Sequence, residues 1–385
     1  MHFPATPGRA KRKPIVLVIE DEAGSRDALR VILRPFFTVQ TAESARAAME
    51  VLHTQPIDLI TLDLKLPDRP GLELLHDLTQ HHAGVEVIII TGYGSVQSNM
   101  EGLRQGTAGF LLKPFNVIDL LALVTQALAK KQRLDFLRQF IGPTTALWGS
   151  EIACANAWKD LRTGYQAVRA SASENASQAD DLPDLLPLLS DLLEAKDRQL
   201  LTHCSRVTIY TTLLANRLTL TFAERQSVAL GAFLHDIGKI GPAPYHVADD
   251  DLAVTGASLG HRHHPEHGAT LVLPLGLPAE VGQIIAYHHE RWDGLGAPYG
   301  LQEEGIPPLV RIVCLAHTFD YLTVDRPGRR PLSTEEACHQ IRAYAGTHFD
   351  PTLTELFARV LLDCKASFPT MATTPPIDPT PPSEG

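Results

Sequence analysis

The 385-residue chain lacks most of the features that mark specialised protein classes. Its five cysteines (Cys154, Cys204, Cys314, Cys338, Cys364) are odd in number, scattered and without CxxC spacing, which excludes a disulfide scaffold and points to reduced thiols. No run approaches the roughly 18 apolar residues of a membrane span. The basic start MHFPATPGRAKRK is not followed by the apolar stretch of a signal peptide. Positive charge is also scarce. Against 44 Asp and Glu stand 34 Lys and Arg, and the resulting net charge of −10 argues against a dedicated nucleic-acid binder, because phosphate contacts need a basic surface. The expectation is a soluble, cytoplasmic protein with neither DNA nor membrane among its partners. A hydrophobic share of 44% and a length too great for one ordinary core imply two globular domains.

From Pro14 to about Lys131, short apolar runs alternate with helical patterns. The strand candidates are Ile15–Ile19, Thr38–Thr41, Leu59–Leu62, Val85–Ile90 and Gly109–Leu112. Five β/α alternations predict a doubly wound, five-stranded parallel sheet covered by helices, with its site at the carboxyl ends of the strands. The segment Asn116–Phe140 has apolar residues at near-helical spacing. It reads either as a transmission or dimer helix or as an ordinary last helix running into a linker. A helical stretch around Trp158 and Leu161 precedes the polar run Ser171–Asp181, a flexible connection by composition. Strand signals then vanish, and helical patterns run to about Phe368. The expected division is a disordered 1–13, an α/β domain over 14–131, a helical linker over 132–183, an all-helical domain over 184–368 and a disordered Pro-rich tail over 369–385.

Acidic residues end the first strand (Glu20, Asp21) and the third (Asp63), and neighbouring parallel strands would bring them together as a Mg²⁺ site with room for a phosphoryl oxygen. Thr91 and Lys113 end the fourth and fifth strands and converge there too. The segments VLVIEDE, LITLDLKLPDRPG, IIITGYGS and FLLKPF resemble the motifs of a response-regulator receiver domain. That resemblance implies Asp63 as phosphoacceptor, Glu20 and Asp21 as Mg²⁺ ligands beside it, Thr91 and Phe110 as switch residues and Lys113 as the ion-pair partner of the phosphoryl group.

Seventeen histidines are unevenly placed. His235 and Asp236 are adjacent in FLHDIGKIG, His288 and His289 in YHHERWDGLGAP, with His203 and His264 in LLTHCSRV and HRHHPEHG. Such pairs on helices that read as buried are costly unless a metal binds them. Neighbours on a helix diverge by about 100°, which suits a carboxylate bridging two ions better than two ligands on one. An imidazole-rich shell suits Fe, Mn, Ni or Zn rather than Mg or Ca. Of the tract His261–His267, only His264 is assigned to the site. His261, His263 and His267 read as surface or outer residues.

From about Asp191 to Phe357 the chain resembles the HD-GYP branch of the HD phosphohydrolases, through HDIGK, HHERWDGLGAPYGL, GIPPLVRI, FDYL, DRP and HFDP. The resemblance implies an all-helical HD-type domain after the receiver. One metal would lie on His203, His235 and Asp236 and a second on Asp236, His264, His288 and His289, with Lys239 and Asp236 as catalytic groups and a substrate loop through Asp293, Gly294, Gly296 and Pro298. It further implies cyclic di-GMP phosphodiesterase activity controlled by phosphorylation of Asp63. The implied partners are a cognate sensor histidine kinase, a second copy of the chain as homodimer, and a diguanylate cyclase or other signalling protein. Three positions depart from the family pattern. His317 stands where the family has a carboxylate ligand, Gln199 where some members have a glutamate for a third metal, and Ala297 where the family's naming tyrosine stands. His317 is expected to act as a ligand in its own right. The departures keep a second reading open, a degenerate output domain that binds nucleotide or protein without turnover.

Overall fold

The computed structural model describes residues 13–82, 84–92, 107–141, 151–172, 182–241, 263–326 and 329–367. The sequence expectations for both termini, for most of Ser171–Asp181, for the end of IIITGYGS and for His261 lie outside these residues. The described residues fall into two compact units. The first runs to Phe140 and includes Leu161–Ala195; the second comprises Ile141–Asp160 and the chain from Lys196 onward.

In the first unit, β1 (Ile15–Ile19), β2 (Thr38–Ala42), β3 (Leu59–Leu62), β4 (Glu86–Thr91) and β5 (Gly109–Leu112) form one parallel sheet in the order β2-β1-β3-β4-β5. The fourth strand sits one residue later than the apolar run suggested, so Thr91 belongs to it. Strands β3 and β4 are buried throughout, as expected of a sheet covered on both faces. Helices α1 (Ala23–Leu33), α2 (Ala45–Thr54) and α3 (Gly71–His81) connect the strands. The Ser44 side chain caps α2 by accepting from the Ala47 N–H.

The helix α4 (Val117–Ile141) is continuous over 25 residues. Its first half buries Leu120, Val124, Ala127 and Leu128 in the sheet's core. Its second half buries Leu134 and Leu137, and it is also tied by charge to α5 (Glu151–Ala172) and α6 (Leu182–Lys196). Lys130 pairs with the buried Glu194 at 2.7 Å, and Arg133 Nε donates to Asp191, which also accepts from the Tyr165 hydroxyl, both at 2.7 Å. Buried carboxylates need such partners. Sequence periodicity, which tracks apolar positions, could not reveal that these ion pairs join 161–195 to the first unit; it placed that stretch in a linker and at the start of the next domain.

Among the described residues the second unit is helical, with α7 (Arg198–Ala215), α8 (Phe222–Leu234), α9 (His264–Val272), α10 (Ala279–Tyr287), α11 (Pro308–Thr323), α12 (Thr334–Ala343) and α13 (Pro351–Ser367). Of the 16 residues of α11, 12 are buried, so this helix is enclosed on all sides and forms the axis of the core. Thr221 and Ser333 start α8 and α12 with reciprocal capping boxes to Glu224 and Glu336.

Candidate metal centre

The sheet register assembles the first site. Ile19 lies opposite Leu62, so Glu20 and Asp63 leave neighbouring strands together, and Thr91 opposite Leu112 places Lys113 beside them. Lys113 Nζ donates to Glu20 Oε2 at 2.5 Å and to Asp63 Oδ2 at 2.6 Å, while the Thr91 hydroxyl donates to Asp63 Oδ1 at 3.0 Å. Glu20, Asp21 and Asp63 offer oxygens within 4.8 Å of one another. Burial, aided by the negative charge of Asp63, raises the Glu20 pKa although Lys113 opposes it. Burial alone would lower the Lys113 pKa, but its bonds to both carboxylates raise it. Glu20 Oε1 is buried without a hydrogen-bond partner, an oxygen that a hard cation beside the exposed Asp21 would satisfy. Phe110 is half-buried on β5 and packs against the core on the α2–α3 side.

The second site gathers residues from five stretches of helix and turn. His203 lies within α7, while His235 and Asp236 follow the end of α8, as His288 and His289 follow the end of α10. The adjacent pairs therefore sit at helix ends rather than within helices. Asp236, at φ −99° and ψ 12°, already leaves the helical path, so two consecutive side chains can face one point. His264 opens α9, and His317 projects from the axial helix α11. Gly238 makes the approach of the turn to α9 feasible, because a Cβ there would lie 1.9 Å from the carbonyl oxygen of His264.

Asp236 is fully buried, and its two oxygens face different histidines. Oδ2 lies 3.4 Å from Nε2 of both His203 and His235, whereas Oδ1 lies 3.1 Å from Nε2 of His264 and 3.6 Å from that of His288. The donor atoms form two groups accordingly, His203, His235, Asp236 and His317 in one, and His264, His288 and His289 in the other. Lys239 Nζ donates to Asp236 Oδ2 at 2.8 Å. Although burial opposes ionisation, Lys239 and His235 hold the Asp236 carboxyl well below the usual carboxylate range.

The tautomers test whether these donors suit a metal. His235 Nδ1 donates to the Ala232 carbonyl at 2.7 Å and His288 Nδ1 to the Ile285 carbonyl at 2.9 Å, while His203 Nδ1 bonds the Asp320 carboxylate at 2.7 Å. A neutral ring with its proton on Nδ1 has a lone pair on Nε2. Yet the Nε2 atoms of His203 and His235 stand 3.1 Å apart, those of His264 and His288 3.2 Å, and those of His264 and His289 3.3 Å. Asp236 Oδ1 accepts no hydrogen bond even with His264 Nε2 at 3.1 Å. Converging lone pairs repel unless a cation lies between them, so the set fits metal ions, with His203, His235 and His288 held through their other nitrogens as ligating histidines are. Burial pushes the His264 pKa down to about 4 and lowers those of His288, His289 and His317 as well. At His203 burial acts in the same direction, but Asp236 and Asp320 outweigh it and raise the value.

Two supporting residues escaped the sequence reading. Asp320, one turn beyond His317, is fully buried and also takes a two-pronged contact from Arg206, at 2.5 Å to Nε and 2.9 Å to Nη2. A carboxylate in an otherwise apolar helix was the available signal. Glu290, also buried, accepts the backbone N–H groups of Tyr299 and Leu301 at 2.7 and 3.0 Å and so anchors the following loop. Within it Asp293 pairs with Arg291 and caps the Leu295 N–H, Gly294 takes φ +76°, and a Cβ on Gly296 would lie 2.2 Å from the Arg291 nitrogen. The Ala297 N–H donates to the His289 carbonyl at 3.1 Å, so the Ala297-Pro298 turn stays tied to a candidate ligand despite the missing tyrosine. Tyr299 is exposed and edge-on to Tyr287. Gln199 offers no carboxylate, and His263 lies on the surface beside Glu266.

A sheet carrying carboxylates, a hydroxyl and a lysine at its carboxyl end, joined to a helical domain built on His–Asp pairs, defines a two-domain signalling protein with a metal-dependent output. Residues 16–125 match the response regulator receiver domain family and residues 187–353 the HD domain family. The chain is a response-regulator receiver domain followed by an HD domain. It is 26% identical over 360 residues to a cyclic di-GMP phosphodiesterase of Thermotoga maritima, covering 90% of each chain. A probable cyclic di-GMP phosphodiesterase of Vibrio cholerae is 27% identical, with 89% of this chain and 76% of that one covered. The cyclic di-GMP phosphodiesterase response regulator RpfG of Xanthomonas campestris is 26% identical over 89% of this chain and 87% of its own.

Proposed function

We propose that the protein is a cytoplasmic response regulator whose HD domain hydrolyses cyclic di-GMP under control of phosphorylation at Asp63. The division of the two Asp236 oxygens between two sets of histidines carries this reading, because it suits a carboxylate bridging two metal ions. The full-length relatives named for that activity supply the substrate.

His203, His235, His317 and Asp236 would hold one transition-metal ion, and Asp236, His264, His288 and His289 the other. When bound, such ions activate water and offset the charge that develops on a phosphodiester. Lys239 holds a cation at the edge of the centre, 2.8 Å from Asp236, where it can turn towards a phosphoryl oxygen. Asp320 fixes the ring of His203, and Glu290 shapes the loop through Asp293, Gly294, Gly296 and Pro298 against which the substrate would lie. In the receiver, Asp63 would accept the phosphoryl group from a sensor histidine kinase, with Mg²⁺ on Glu20, Asp21 and Asp63. Lys113 and Thr91 would follow the phosphoryl oxygens, and Phe110 would respond with Thr91. A second copy of the chain and a diguanylate cyclase or similar signalling protein complete the proposed partners.

Purified protein should contain close to two transition-metal ions per chain and hydrolyse cyclic di-GMP. Two bound ions without turnover would favour the binding output instead.

A further inference from the structure

The seven donors of the HD domain separate into two sites of the same composition. Asp236 Oδ2 faces His203 and His235, and His317 belongs to that group; Asp236 Oδ1 faces His264 and His288, with His289 beside them. Each half thus has three imidazole nitrogens and one carboxylate oxygen. The His317 ring is placed to complete the first half, with its centroid 5.1 Å from those of His203 and His235. It is buried among them.

From this geometry we infer that His317 makes the centre a matched pair of three-histidine sites selective for Zn²⁺ over Mn²⁺ and Fe²⁺. The inference rests on the binuclear reading above and specifies the metal. Three imidazoles and one oxygen make a nitrogen-rich set of the type that Zn²⁺ accepts, with a further position left for water. Mn²⁺ favours carboxylate and water oxygens in a larger shell, and iron centres of the two-histidine type carry a carboxylate on each ion. Here six nitrogens share one carboxylate. Two divalent ions keep an excess of positive charge that one bridging aspartate offsets only in part, so the centre favours ions that bind nitrogen strongly over those that depend on anionic oxygen.

The test uses the full-length protein freed of metal by a chelator. Zn²⁺ and Mn²⁺ affinities are measured by competition with a chromophoric chelator for the natural chain and for His317→Asp, and Co²⁺ is added to each as a spectroscopic probe. The natural chain should bind two Zn²⁺ and give visible cobalt bands clearly stronger than those of a six-coordinate ion. In His317→Asp the preference for Zn²⁺ over Mn²⁺ should fall by about tenfold or more, and half of the cobalt should lose that intensity. The cobalt spectrum of the natural chain stands even if the variant does not fold. Weak, six-coordinate bands in the natural chain, or equal selectivity in the two folded proteins, overturn the inference and leave the binuclear reading intact. Failure of the natural chain to bind any of the three ions removes both.

Discussion

The two candidate metal sites solve one problem in opposite ways. At the sheet end, three carboxylates and a lysine meet at a partly open edge, with Asp21 exposed and Lys113 bridging Glu20 and Asp63. In the helical unit, six imidazoles, all but the half-buried His289 in the interior, surround one fully buried aspartate. Oxygen donors near water suit an ion that keeps part of its hydration and is exchanged with each signalling event. Nitrogen donors in the interior suit an ion that stays. The lysine of the first site can neutralise its carboxylates when no ion is bound. In the second, neutral rings crowd their lone pairs together, and only a cation relieves them.

The largest expected effect separates the two sites completely. Asp236→Ala should reduce metal in the HD domain to less than one ion per chain by elemental analysis and lower phosphodiesterase activity by at least about 10³-fold, since both ions lose their shared ligand. Asp63 should still be labelled by a small phosphodonor with Mg²⁺. In the reciprocal variant, Asp63→Asn, labelling should vanish while the HD domain keeps its metal. Labelling that survives in Asp63→Asn would assign the phosphoacceptor to another carboxylate.

A smaller effect tests how far burial matters in the second site. Asp320→Asn keeps the shape but weakens the hold on His203 and leaves Arg206 without its anionic partner. Metal affinity should fall by about 10- to 100-fold. Breaking the pair should cost less than the about 3–5 kcal/mol of a fully buried one, because the Arg206 side chain is 23% exposed. A chemical denaturation curve and a metal titration read the two losses separately. Unchanged affinity would show that His203 is positioned by packing alone.

The smallest effect is the pH response of the metal-free protein. His264 and the buried His348, which follows α12, are each pushed down by burial from the ordinary 6.5 to about 4, and burial lowers His288, His289 and His317 too. Between about pH 6.5 and 4 the unfolded chain therefore binds more protons than the folded one, and stability falls as the pH drops through that window. His203, with its raised value, works the other way: its contribution is present below 6.5 and lost as the pH rises. The lowered group is larger, so the melting temperature of chelated protein should fall from pH 7.5 to 5. Saturation with metal should raise the melting temperature but steepen that fall, because bound metal keeps these rings, His203 included, free of protons in the folded state while the unfolded chain still takes them up. A metal-free melting temperature that rises on acidification would mean that His203 dominates.

Much of this was legible in residue order. Strand-end positions for Glu20, Asp63, Thr91 and Lys113 follow from short apolar runs that each give way to polar residues, and parallel pairing fixes their convergence. The adjacent pairs His235–Asp236 and His288–His289 marked the second site because such residues are expensive to bury. The supporting shell was harder to read. Asp320 and Glu290 act through contacts with residues 117 and up to 11 positions away, and neither forms a local motif.

The sequence by itself determined the element types, the chemistry of both sites and the histidine at position 317, since these depend on local periodicity and on which side chains are present. Only the tertiary structure decided that the adjacent pairs leave their helices at the ends, that the two Asp236 oxygens face separate sets of rings, and that His317 joins His203 and His235. It also decided that 161–195 packs with the receiver through Lys130, Arg133, Asp191 and Glu194. Those outcomes depend on the direction of side chains from elements far apart in the chain, and direction is fixed only when the helices pack.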